Sequence, residues 1–99
     1  MAKYDVMPLI ATGGLVVDVQ SDILDPLNTR MVVPLLPIAS APKPARRLNP
    51  VFEIEGQRLV MITQFASAVR LGELGKPIAS LEPRFEDITA ALDMLFQGF

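Results

Sequence analysis

Only one stretch of this chain is written at helical spacing, and it lies at the C-terminal end. Phe85, Ile88, Leu92, Leu95, Phe96 and Phe99 recur at intervals of three and four, the stripe of an amphipathic helix. Pro83 suits the first turn of such a helix, where a missing N–H costs nothing. Glu86 and Asp87 fall near the positive end of its dipole, and Gly98 provides the stop. Asp93 and Gln97 lie four residues apart on the face away from the stripe. Before that segment, the chain is cut by proline and glycine into short apolar runs. Strands followed by one terminal helix make a small, mainly β domain of the α+β kind.

The runs can be placed individually. Leu15-Val16-Val17-Asp18-Val19 is β-branched, follows a Gly-Gly turn signal and reads as a strand, with Asp18 alternating outward. Met31-Val32-Val33-Pro34-Leu35-Leu36 reads as a second, in which Pro34 marks an edge or a bulge because it cannot donate to a ladder. Residues 37–50 hold four prolines and the cations Lys43, Arg46 and Arg47, the composition of a projecting loop or distorted hairpin. Val51-Phe52-Glu53-Ile54 and residues 57–63 flank Glu55-Gly56 as a β-hairpin. Residues 65–69 are ambiguous between a strand and a bent connection, and Ile78-Ala79-Ser80-Leu81 is a last short segment.

Composition removes most familiar chemistry. The 99 residues, read as one domain over 1–99, include no cysteine and no histidine. That excludes disulfides, thiolate metal sites, thiol nucleophiles and every His-dependent arrangement. With 51% hydrophobic and 20% charged residues the chain is too apolar for intrinsic disorder, and a net charge of −2 argues against electrostatic binding of nucleic acid. Residues 6–19 are apolar but broken by Pro8 and Gly13-Gly14, so neither a membrane span nor a signal peptide is expected and the location expected is cytoplasmic. So much apolar surface on so short a chain leads us to expect a homodimer.

Few residues remain that could carry chemistry. Asp18, Asp22 and Asp25 are the only clustered carboxylates; they could hold magnesium, but a strand end and polar turns account for them as well. Gly13-Gly14 precedes a strand rather than opening a helix, so it is not a phosphate loop. Lys43, Arg46 and Arg47 could meet an anionic partner or simply be solvated. The end from Phe96 to Phe99 is either a partner-binding tip or the last turn of a core-packing helix, and composition favours the second. With no catalytic residue, metal or cofactor indicated, a protein that works by binding is expected.

From residue 15 to 25, Leu-Val-Val-Asp-Val-Gln-Ser-Asp-Ile-Leu-Asp, the chain resembles the CcdB toxins of bacterial toxin–antitoxin modules. The likeness continues through Arg30-Met31-Val32-Val33-Pro34-Leu35 and Leu48-Asn49-Pro50-Val51, and returns at Asp87-Ile88 and Leu95-Phe96-Gln97-Gly98-Phe99. The resemblance implies a homodimer built on the SH3-like barrel also found in the Kid and MazF toxins, with a C-terminal α-helix. It implies binding to the A subunit of DNA gyrase and trapping of its covalent complex with cleaved DNA. It further implies neutralisation by a partly disordered CcdA-like antitoxin, with which the toxin represses their operon; operator DNA is reached only through the antitoxin.

By the same resemblance the gyrase-binding positions are Ile23, Leu24, Asp93, Phe96, Gln97, Gly98 and Phe99. Asp93 stands where the best-known pattern has asparagine, Gln97 where it has tryptophan, and Phe99 where it has isoleucine. Lys43, Arg46 and Arg47 are the residues expected to attract the acidic tail of the antitoxin. Two alternatives stay open. An endoribonuclease on the same fold would have to use Asp22, Asp25 and Arg30, and a non-toxic relative would keep only fold, dimer and antitoxin binding.

Overall fold

The nine-residue strand β3 organises the computed structural model, which describes residues 2–99. In chain order the strands are β1 (Asp5–Pro8), β2 (Leu15–Asp18), β3 (Thr29–Pro37), β4 (Val51–Ile54), β5 (Gln57–Met61), β6 (Ser67–Arg70) and β7 (Ala79–Ser80), followed by the helix α1 (Phe85–Gln97). All pairings are antiparallel. The spatial order is β4-β5-β3-β2-β1-β7, with β6 also against β3. One side of β3 pairs with β2. Its other side is divided: Thr29 to Val32 pair with β6, and Leu35 to Pro37 pair with β5. Sharing one long strand between two neighbours curls the sheet into a nearly closed, SH3-like barrel with a C-terminal helix.

That division explains Pro34, which lies inside β3 rather than at an edge or bulge. Its carbonyl accepts from the Ile62 N–H at 3.0 Å, so its nitrogen points to the same side, where β6 has ended and β5 has just begun. The missing donor falls in the gap between the two strands, where no ladder partner is lost.

The apolar runs are continuous rather than strictly alternating because both faces of the sheet are covered. Val6, Val17, Val33 and Leu35 join Phe52, Leu59 and Met61 in the main core, onto which α1 packs Ile88 and Ala91. Their strand neighbours Met7, Val16 and Val32 face the other way and form a second cluster with Leu74. Asp18 follows Val16 at two-residue spacing and therefore shares that second face. It is fully buried there, which corrects the expectation of a solvated, outward side chain.

Other expectations hold or shift locally. Glu55 and Gly56 adopt φ of 51° and 77°, the doubly left-handed turn that matches the twist of a two-residue hairpin. Pro83 sits in a 3₁₀ turn, Glu82–Arg84, that leads into α1 rather than in its first turn. Residues 65–69 resolve into the end of a 3₁₀ turn, Thr63–Phe65, and strand β6. Strand β1 had no sequence signal, being four residues long and ending at Pro8; pairing with β2 and β7 makes it a strand. Among the described residues no helix is long and apolar enough to cross a membrane.

Candidate functional site

The segment between β2 and β3 is built from the inside outward. Arg30, fully buried at the start of β3, donates from Nε to Asp18 Oδ2 at 2.7 Å. Its Nη1 donates to Asp25 Oδ1 at 3.0 Å, and its Nη2 lies 3.5 Å from Asp22 Oδ1. Burial opposes the charge on Arg30, but the hydrogen bond to Asp18 and the fields of Asp18 and Asp25 outweigh it and raise the guanidinium pKa above its ordinary value. Gln20 stitches the same segment. Its amide donates to the Thr29 carbonyl at 3.1 Å and accepts from the Met31 N–H at 2.9 Å. Ser21 Oγ accepts from the Ile23 N–H and caps the 3₁₀ turn Asp22–Leu24.

Around this buried guanidinium the segment's apolar side chains are left outside along with the outer faces of Asp22 and Asp25. Ile23 is 87% exposed, and Leu24 and Leu27 are about half exposed. Asp18, Asp22 and Asp25 converge on a guanidinium rather than on a space that a metal ion would fill. Arg30 is equally committed. To meet an RNA phosphate it would have to leave a buried pair, a change that strands Asp18 without its counter-charge.

The end of α1 is a second exposed apolar feature. Only Ile88 and Ala91 are fully buried along the helix. Leu92, Asp93 and Leu95 are half-buried, whereas Phe96 is 76% and Phe99 70% exposed. Gly98 ends the helix with a φ of 79°, and its N–H donates to the Met94 carbonyl at 3.1 Å. The expectation from composition, a last turn packed into the core, is therefore corrected: the last turn projects. The helix packs mainly on the 3₁₀ turns Thr63–Phe65 and Glu82–Arg84. Phe65, on the first of these, adds another half-exposed ring. The Asp22–Leu24 turn is not among its principal neighbours, so the candidate residues form two groups within one chain: Ile23 with Leu24, and Asp93 with Phe96, Gln97, Gly98 and Phe99.

Residues 38–50 form an irregular loop carrying the basic cluster. Buried Asn49 anchors its base. Its side chain accepts from the Ala45 N–H at 3.0 Å and donates to the Met61 carbonyl at 3.1 Å and to Gln64 Oε1 at 2.8 Å. Thr63 Oγ1 donates to the Leu48 carbonyl beside it. Sequence analysis named Asn49 only within the family likeness and gave it no anchoring role; the signal available was a turn-forming Asn directly before Pro50. Lys43, Arg46 and Arg47 are exposed, and the ion pairs among the described residues involve only Arg30 and Arg84 as cations.

A mostly apolar cleft of about 380 Å³ lies elsewhere, between residues 9–12 and the β6 region. Its one carboxylate, Glu73, accepts from the Arg70 N–H at 2.8 Å, so the cleft offers no acid–base pair.

Fold and surface together define a small barrel protein with a buried arginine–aspartate cluster, a basic loop, and exposed apolar side chains at the Asp22–Leu24 turn and the end of α1. A protein-family model described as CcdB protein matches residues 4–98. The chain belongs to the CcdB family, the toxins of toxin–antitoxin modules.

Proposed function

We propose that this chain is a cytoplasmic, homodimeric toxin of one domain that binds the A subunit of DNA gyrase and traps its complex with cleaved DNA. The observation that carries the reading is the projecting helix end. Phe96 and Phe99 remain in water where the C-terminal end of the helical stripe runs past its core. Exposed aromatics on a rigid support are the usual anchors of a protein interface. Ile23 and Leu24 supply a second apolar contact. Such inhibition works by occupancy and asks for no catalytic group. A CcdA-like antitoxin neutralises the toxin by laying its acidic tail against Lys43, Arg46 and Arg47. The pair represses their operon with the antitoxin contacting the DNA, in keeping with a toxin net charge of −2.

One feature favours a second reading. Gln97 offers an amide where the best-known family pattern has a tryptophan, and loss of such an anchor weakens binding by about 30- to 1,000-fold. A non-toxic, antitoxin-binding relative is the alternative. The host's own gyrase separates the two. Wild-type protein is expected to accumulate cleaved-DNA complexes, and Gln97→Trp to do so at lower concentration. Normal antitoxin binding without cleavage by either protein would replace the toxin with the inert relative.

A further inference from the structure

Every residue from 21 to 28 is exposed. The segment that carries Ile23 and Leu24 thus has no core of its own, and polar ties must give it shape. Asp22 and Asp25 flank those two residues, and both turn back to the same buried guanidinium. Asp22 Oδ1 also accepts from the Lys3 N–H at 2.9 Å. Arg30 is in turn locked by Asp18 through a 2.7 Å contact between two side chains with no solvent exposure. The guanidinium is therefore a fixed post on the barrel, with one grip on each side of an apolar knuckle.

We propose that Arg30 is a positioning residue that, through Asp22 and Asp25, holds Ile23 and Leu24 in a preformed binding posture. The inference rests on the gyrase reading above and deepens it. A loop already ordered pays less conformational entropy on association than one that must order in the complex. The grips also account for a feature that packing does not explain: three carboxylates around one arginine, two of them with side chains more than 60% exposed. If their purpose were stability alone, exposed pairs would be a poor means to it.

The test removes the grips and keeps the post, because Arg30→Ala would leave Asp18 buried and unpaired and endanger folding. Backbone order parameters at Ile23 and Leu24 are expected near about 0.85 in the wild type and below about 0.6 in Asp22→Ala/Asp25→Ala. The same variant should bind the gyrase A subunit about tenfold more weakly, with an unchanged melting temperature and unchanged antitoxin affinity. Asp25→Asn keeps an oxygen for Arg30 Nη1 and should stay ordered where Asp25→Ala does not. Unchanged order parameters in the double variant would overturn the clamp. A mobile loop with undiminished gyrase affinity would overturn its role in presentation. Failure of the wild type to bind gyrase A would instead refute the target, while the order parameters still decide whether Arg30 holds the loop.

Discussion

Deleting residues 97–99 should separate binding from folding. Phe99 keeps 70% of its surface in water and Gln97 is exposed, so little buried surface is at stake. Full burial of a phenylalanine stabilises by about 1.5–3 kcal/mol, so the buried third of Phe99 contributes about 0.5–1 kcal/mol. Losing the Gly98 N–H contact to the Met94 carbonyl adds about 0.5 kcal/mol. In a domain of this size 1 kcal/mol moves the melting temperature by about 4–8 °C, so the expected fall is below about 12 °C. Ile88→Ala provides the contrast. Ile88 is fully buried against the sheet, and its truncation should cost about 2–5 kcal/mol, or about 10–40 °C. At the interface the order reverses. Loss of an aromatic anchor costs about 2–4 kcal/mol, so the deletion should weaken gyrase A binding at least about 30-fold. Calorimetric melting and titration with the host's gyrase A subunit measure both sides. Melting as low as that of Ile88→Ala, or affinity within about threefold of wild type, would refute the assignment of the helix end to binding rather than core.

Asp18→Ala should destabilise the fold by about 3–5 kcal/mol in chemical denaturation, because Arg30 keeps its charge with its closest partner gone; Asp18→Leu combined with Arg30→Met should recover most of that loss. A double variant no more stable than the single would show that the buried pair is not the cause. Replacing Lys43, Arg46 and Arg47 by alanine should slow association with an acidic antitoxin peptide and flatten its salt dependence without altering the melting temperature, as measured by stopped-flow mixing across ionic strengths. In sedimentation at micromolar concentration the chain should run as a dimer, and the deletion of residues 97–99 should leave it so.

The barrel was legible where local chemistry is strong enough to decide structure alone. Glu55-Gly56 between two apolar runs dictates a hairpin because few other turns fit the twist of paired strands. The spacing of Phe85, Ile88 and Leu92, with Gly98 after them, dictates a helix and its stop. The residues of the candidate site were legible through family likeness, because side-chain identity is what such a likeness compares. Their arrangement was not. Asn49 and Arg30 have meaning only through partners brought close by folding: Met61 and Gln64 for one, and three aspartates for the other.

What the sequence by itself determined is therefore the strands written in β-branched runs, the Glu55-Gly56 hairpin, the terminal helix, and the exclusion of thiol and imidazole chemistry. Period, turn residues and composition act over a few neighbours and need no distant contact. Tertiary structure alone decided the rest. It placed Pro34 in an inner strand, because the gap between β6 and β5 absorbs a missing donor. It made β1 a strand through its pairing with β2 and β7. Alternation assigned Asp18 to the face away from the main core, but only the second cluster and Arg30 determine that this face is dry. The helical stripe runs without a break from Phe85 to Phe99. Which of its turns is buried depends on what lies beneath it, and the supporting core is met at Ile88, Ala91 and Leu92 and not at Phe96 or Phe99. Periodicity marks a face of a helix; where that face runs past its support is a property of the assembled barrel.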